Sequence, residues 1–304
     1  MEIIISKFKK VADFCYELCQ IGKVPLYFSK YANKIYTNYQ HLFMLVYKQA
    51  RKFTYEELLT DLADNISLRC YLGLNELPHY TTLIKFAQRL PSLVIDKLVL
   101  AFKKLVEQPE KVAIDSTGIS LDNASPHYCK RIGLPFKKRP FLKASFIVDI
   151  NTFMILLARF RKKPRHDLID AKIMVEKLSK HYKPKMFYAD RGYDSNEMFK
   201  QVFEQLHAYP LILQKNLHIP KYKRHGTYRK KTYDVFDYGE YLQRNRIETS
   251  IDMFKKRNGH HIRSKNNKCQ KVKAFTRVIA YNIDRLIRMG KNLILIIIKI
   301  RVSY

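Results

Sequence analysis

Along the first hundred residues apolar positions recur at helical spacing. Ile5, Phe8, Val11, Phe14, Leu18 and Ile21 share one face, and His41 to Lys52 carries a second apolar face. Thr54 followed three residues later by Glu57 reads as a capping box, with Leu58, Leu59 and Leu62 turned inward. A further helix starts at Thr81 or Thr82 and runs through Leu83, Ile84, Phe86 and Leu90 until Pro91. Two short helices around Leu72-Gly73-Leu74 suit a helix-turn-helix with Lys85, Gln88 and Arg89 on its free face. They suit a plain helical bundle for packing or dimerisation equally well.

Near Pro109 the pattern changes. Lys111 to Leu121 reads as a strand, and Lys143 to Ile150 and Phe153 to Arg161 are two more β-rich runs joined at Asn151-Thr152, a hairpin signal. Asp167 to His181 returns to helical spacing, Met186 to Ala189 is a short strand, Ser195 to His207 is helical with Ser195 as its cap, and Tyr209 to Leu213 is a fifth strand. Three strands, helix, strand, helix, strand predicts an α/β domain with a mixed five-stranded sheet flanked by helices, preceded by an all-α region. Gln214 to about Tyr238 has no period. Helices are expected again over Tyr241 to about Arg257 and Val272 to Met289. The chain thus divides into a helical region at 1–108, an α/β domain at 109–290 carrying an insertion at 214–238, and an apolar tail at 291–304.

Composition adds one strong constraint. The 304 residues are 47% hydrophobic and 28% charged, enough apolar material for a real core, but 57 Lys and Arg face only 27 Asp and Glu, a net charge of +30. Such a surplus calls for a polyanion, and because the cations spread along the chain rather than along one amphipathic helix, nucleic acid is favoured over a membrane surface. Between Lys215 and Lys273 stand seventeen basic residues and five acidic ones. In the 214–238 insertion Lys215, Lys223, Arg224, Arg229 and Lys230 alternate with Tyr222, Tyr228 and Tyr233, a pattern suited to a nucleic-acid backbone. The five scattered cysteines give no disulfide or zinc pattern, and Cys15 and Cys19, one turn apart, read as core thiols. Lys7, Lys9, Lys10 and Asp13 interrupt any signal-peptide pattern, and Leu293 to Ile298 is far too short for a span. A reduced, cytoplasmic, nucleoid-associated protein with no membrane partner is expected.

In so basic a chain the acids are informative. Asp115 lies in mid-strand between Ile114 and Ser116, and Asp190 ends a strand before Arg191-Gly192. A carboxylate on a central strand lacks solvation, and two on neighbouring strands repel unless a divalent cation such as magnesium lies between them. Glu248, on an otherwise basic helix, is the candidate third ligand. Asp149 and Asp167 also lie near the sheet, although Asp167 reads better as an N-cap and Asp194 as a cap of the next helix. His260 and His261 suit a DNA-facing turn better than a metal site.

The order strand-Asp, strand-Asp, helix-Glu resembles the DDE transposases of prokaryotic insertion sequences. The local match is Tyr241, Arg244, Glu248 and Lys255, which reproduces the Tyr-x2-Arg-x3-Glu-x6-Lys signature of that family. Ala113-Ile114-Asp115-Ser116-Thr117 and Ala189-Asp190-Arg191-Gly192-Tyr193-Asp194 agree with it, and the likeness spans about residues 40–290. It implies a ribonuclease-H-like sheet and a catalytic triad of Asp115, Asp190 and Glu248 holding two magnesium ions, with manganese tolerated in their place. One ion would activate water or a DNA 3′ hydroxyl and the other would stabilise the leaving oxygen. Cleavage at terminal inverted repeats and strand transfer into target DNA would follow, with a homodimer on double-stranded DNA. Tyr241, Arg244 and Lys255 would contact DNA beside the cut, with Arg191, Lys215, Lys223, Arg224, Arg229, Lys230, Lys85 and Arg89 as further contacts. The alternatives are a same-fold nuclease that cuts without joining, a DNA-binding remnant, and an RNA-binding structural protein.

Overall fold

A computed structural model describes residues 7–121, 131, 141–163, 165–215, 219–223, 225–233, 235–264 and 266–291. Arg224, Cys129 and the apolar tail beyond residue 291 lie outside the described residues. The chain clusters into two compact units, one from Met1–Lys104, Arg257–Gly259 and Ser264–Tyr304, the other from Leu105–Lys256 and His260–Arg263.

The first unit is helical: α1 (Lys7–Ile21), α2 (Asn38–Arg51), α3 (Tyr55–Asp64), α4 (Ile66–Leu72), α5 (Tyr80–Arg89) and α6 (Ser92–Ala101). At its centre is α2, whose residues Leu42 through Tyr47 are all buried, so this helix is apolar all round rather than on one stripe. Thr37 and Gln40 form a capping box at its start, and Thr54 with Glu57 does so for α3 as expected. The fifth helix begins at Tyr80, slightly earlier than its threonines suggested, because His79 holds the extended backbone of the N-cap. Cys15 and Cys19 are buried in the core, which pushes both thiols up, Cys19 to about 12. Between α4 and α5 run the seven residues Gly73–His79, longer than the three or four of a helix-turn-helix turn, which favours the bundle alternative.

In the second unit β1 (Lys111–Ser120), β2 (Phe141–Asp149) and β3 (Ile155–Arg161) form an antiparallel meander. Helix α7 (Asp167–Ser179) leads to β4 (Met186–Ala189), and α8 (Asn196–Gln201) leads to β5 (Tyr209–Ile212). The sheet order is β3-β2-β1-β4-β5, with β4 parallel to β1 and β5 parallel to β4, the ribonuclease-H-like arrangement. The hairpin between β2 and β3 uses Asp149, whose Oδ1 accepts the Asn151 N–H at 3.0 Å and whose Oδ2 accepts the Thr152 hydroxyl at 2.5 Å. That carboxylate is committed to the turn. Four shorter or later elements complete the chain: α9 (Thr227–Tyr233), α10 (Tyr238–Tyr241), α11 (Asn245–Asn258) and α12 (Asn267–Arg288).

The last helix packs on α2, α5, α1 and α6 and clusters with the helical unit, with Val272, Val278, Ile279 and Ile283 buried. The capping roles expected of two aspartates are corrected. Asp167 is not a cap: the His166 ring nitrogen accepts from the Leu168 N–H, and Asp167 pairs with Lys143 at 2.6 Å. Ser195 alone caps α8, while Asp194 forms a bidentate pair with Arg229, at 2.7 Å from Nε and 2.6 Å from a terminal nitrogen. Arg229 is therefore engaged within the fold.

Asp170 ties α7 to the sheet. Its almost wholly buried carboxylate lies 2.9 Å from Arg159 Nε and 3.3 Å from Lys143 Nζ, and it also accepts from Arg161. Burial raises its pKa, but the hydrogen bonds from Arg161 and Lys143 outweigh that and hold it below the ordinary value. Removing one partner of a buried pair strands the others, so Asp170→Asn is expected to cost about 3 kcal/mol at pH 7. With a depressed folded pKa the wild-type advantage is present above the ordinary carboxylate pKa and disappears as pH falls below it. Denaturant unfolding at pH 7 and pH 3 checks both statements.

Candidate active site

Register brings the two aspartates together. The last β1–β4 pair is Ala113 with Tyr188, and two residues beyond it on the parallel strands stand Asp115 and Asp190. Each carboxylate uses one oxygen locally: Asp115 Oδ1 accepts the Ser116 N–H at 2.7 Å, and Asp190 Oδ1 accepts the Gly192 N–H at 2.8 Å. The second oxygens make no hydrogen bond among the described residues. Asp190 closes a tight turn over Arg191–Tyr193, and a Cβ on Gly192 would come within 3.0 Å of its Oδ1, so glycine permits this approach. Beneath the turn the buried Tyr193 hydroxyl lies 3.3 Å from Ser116 Oγ, itself 2.8 Å from Ser145 Oγ.

The third carboxylate comes from α11. Ile247, Ile251 and Phe254 are buried at i, i+4, i+7 spacing, and the Phe254 ring meets Phe146 of β2 with centroids 5.2 Å apart. Glu248, one position round from that face, is exposed and pairs with Arg244 at 2.7 Å. Lys255, seven residues on and near the same azimuth, reaches β1, where its Nζ donates to Thr117 Oγ1 at 2.5 Å. The helix expected over Tyr241–Arg257 is interrupted: α10 gives way to a 3-10 turn at Leu242–Arg244 before α11 begins. This segment is held by Glu240, a residue the sequence reading missed. Glu240 pairs with Lys111 at 2.6 Å and accepts from the Tyr188 hydroxyl, and these two donors hold its carboxyl below the ordinary range. Nothing in the local spacing marked it, since its partners are 129 and 52 residues away.

The charges of the site feel one another. Burial pushes Asp115 up to about 6, against the Ser116 N–H, with Asp190 and Glu248 raising it further and Arg244 opposing them. Tyr241 is buried, which raises its phenol, and it interacts electrostatically with Arg244 and Asp190. The structure thus brings Asp115, Asp190, Arg244, Tyr241 and Glu248 together. Among the remaining sequence candidates, the side chains of Arg191, Lys215 and Lys223 are exposed and that of Lys230 is half-buried; Lys85 and Arg89 are exposed on α5 of the helical unit. His260 and His261 are exposed too, and the backbone of His260 accepts from Ser120 at 3.1 Å where the segment runs beside the end of β1.

Could these acids hold a metal? No three metal-ligating side chains among the described residues are gathered closely enough to do so as they stand, because Glu248 is turned to Arg244. The donors nevertheless fit a hard divalent cation: they are all carboxylates, two carry oxygens without partners, and Asp115 is raised first by burial and then by Asp190 and Glu248, all of which a cation would offset. Without metal, a carboxyl whose folded pKa is raised contributes stability below its unfolded pKa and loses it as pH rises through about 6. Asp115→Asn in chelator at pH 7.5 is therefore expected to raise stability by on the order of 2 kcal/mol, and to change it little at pH 4. Thermal unfolding at the two pH values tests the sign.

Residues 107–283 match the family described as Transposase DDE domain. In fold the chain is similar to a piggyBac transposase in a cryo-EM synaptic complex with hairpin DNA, at 12% identity and a TM-score of 0.49, covering 94% of this chain and 76% of that one. No curated protein matches this chain in sequence. The matched segment holds the whole sheet, both strand aspartates and the Tyr-Arg-Glu-Lys segment, and is more than half the chain, so the protein belongs to the DDE transposase family.

Proposed function

We propose that this transposase cleaves DNA at the terminal inverted repeats of a prokaryotic insertion sequence and transfers the freed 3′ ends into target DNA. The observation that carries the reading is the pair Asp115 and Asp190 at equal steps beyond the last β1–β4 pair, with Glu248 in electrostatic reach. DDE transposases use divalent metal ions. Here Asp115, Asp190 and Glu248 would hold two magnesium ions, with manganese a workable substitute, and the bound metal would supply Lewis acidity for phosphodiester hydrolysis and transesterification. The chain's own residues do the rest. Arg244 holds the Glu248 carboxylate in the metal-free protein, and DNA phosphate would take its place on the guanidinium. Lys255, placed on β1 through Thr117, would face phosphate beside the scissile bond. Tyr241, fixed between Arg244 and the Glu240 anchor, would pack on the terminal nucleotide.

The net charge of +30 supports double-stranded DNA as the substrate, and the exposed cations Arg191, Lys215, Lys223, Lys85 and Arg89, with the half-buried Lys230, are its further contacts. Residues up to about 108 would serve DNA binding or dimerisation, with the catalytic domain following at 109 and its basic insertion at 214–238. Two element ends must be joined, so the working form would be a homodimer on DNA acting in the cytoplasm at the nucleoid. No helix among the described residues is long and apolar enough to cross a membrane.

The test uses a labelled duplex carrying the inverted repeat that flanks the gene, with magnesium or with chelator. Magnesium-dependent nicking at the repeat boundary is expected, and Glu248→Gln should lower its rate by about a hundredfold or more by removing a metal-binding charge. Joining of the nicked product to a plasmid would establish strand transfer. Repeat binding without cleavage by folded wild type would mean a DNA-binding remnant, and equal cutting by Glu248→Gln would remove Glu248 from the triad.

A further inference from the structure

A second site lies within the helical unit. The irregular segment between α1 and α2 folds against α2 and α5 around a cavity of about 510 Å³, in the size range of small-ligand pockets. Its walls are aromatic. Phe28 and Phe86 stack with centroids 6.0 Å apart and planes 18° apart, and Phe86 stacks in turn on His41 at 4.5 Å and 10°. Tyr31, also lining the cavity, is 81% exposed, a large ring kept in water where it contributes nothing to the core.

Two further features give this pocket a polarity. Lys34, Lys85 and Arg89 line it, and no acidic residue among the described residues does, so it matches a ligand that joins a flat ring to negative charge. His41, 9% exposed, forms the inner wall as a neutral ring. Its Nδ1 lies 3.0 Å from the Thr37 carbonyl, which can only accept, so Nδ1 carries the proton. Nε2 is then the acceptor of the neutral ring, and it is buried without a hydrogen-bond partner. Burial lowers the His41 pKa and keeps the ring neutral, against the Thr37 bond. The neutral ring, stacked on Phe86, continues the aromatic wall behind Phe28 and adds no charge of its own.

We propose that this pocket receives one unstacked nucleobase of bound DNA. The base would extend the Phe86–Phe28 stack under Tyr31 and leave its phosphates on Lys34, Lys85 and Arg89. The inference rests on the DNA-binding reading above and deepens it: besides duplex, the helical unit would grip an unpaired strand. Stacking on aromatic side chains is the sequence-tolerant way to hold single strands, because every base presents a π face.

Full-length protein is titrated, by fluorescence anisotropy, into labelled oligothymidylate of about 16 nucleotides and into a fully paired duplex of equal length. Oligothymidylate forms no secondary structure of its own, and both Phe28 and Tyr31 are exposed enough to be replaced with little cost to the core. The double variant Phe28→Ala, Tyr31→Ala, checked by circular dichroism, should lose single-strand affinity by about tenfold or more while duplex affinity stays within about twofold. Lys34→Gln should weaken single-strand binding alone, as a second variant that leaves the rings in place. Equal losses on both DNAs, or no loss on either, would overturn the proposal. So would a change of sedimenting mass in the variants, which would make the pocket a contact between copies of the chain. Wild type that binds neither DNA would sink the DNA-binding reading itself. Wild type that cuts the repeat, with variants that bind oligothymidylate normally, would refute this inference alone.

Discussion

Two carboxylates side by side in a sheet constrain everything around them. Asp115 and Asp190 are neighbours because β1 and β4 run parallel and each acid stands two residues past their last pair, Asp115 within β1 and Asp190 just beyond the end of β4. Below that level the strands are packed with Val112, Ala113, Ile114, Phe187 and Tyr188, all buried, so the backbone cannot part to relieve the repulsion. The repulsion is met instead by surroundings of opposite sign and by N–H groups of Ser116 and Gly192 aimed at the acids. Arg244 is the cation that opposes the raised Asp115 carboxyl.

Around this pair the fold supplies rigid supports drawn from distant sequence. Glu240 bridges the start of β1 and the body of β4 through Lys111 and Tyr188, and so fixes the segment that carries Tyr241 and Arg244. Phe254 on Phe146, with Lys255 on Thr117, sets the azimuth of α11 and with it the position of Glu248. Asp170 holds α7 against β2 and β3. Glu248 alone remains on the surface, held by one ion pair to Arg244, a contact weak enough to be exchanged when a phosphate or cation arrives.

How much of this could be read from residues alone follows from how local each signal is. The order of strands and helices was legible because alternation and helical spacing are properties of short windows, and the capping box of α3 is a four-residue pattern. The aspartates stood out because a charge in an apolar strand is locally anomalous, and the Tyr-Arg-Glu-Lys spacing is contained in fifteen residues. What could not be read depended on partners far along the chain. Arg229 looked like one more cation in a basic run, and only the fold reveals Asp194 opposite it. The last helix has the same apolar face whichever unit it joins. The 3-10 break at Leu242–Arg244 follows directly on the residue tethered to Lys111, Glu240, and contains no proline or glycine.

The proposed chemistry requires that Asp115, Asp190 and Glu248 share metal. Iron(II) substituted for magnesium, followed by ascorbate and peroxide, cleaves the backbone wherever bound iron generates hydroxyl radicals. Cuts clustered at the three segments around residues 115, 190 and 248 are expected, competed away by magnesium and lost in Asp115→Asn. Cuts confined to other segments, or an unchanged pattern in that variant, would contradict it.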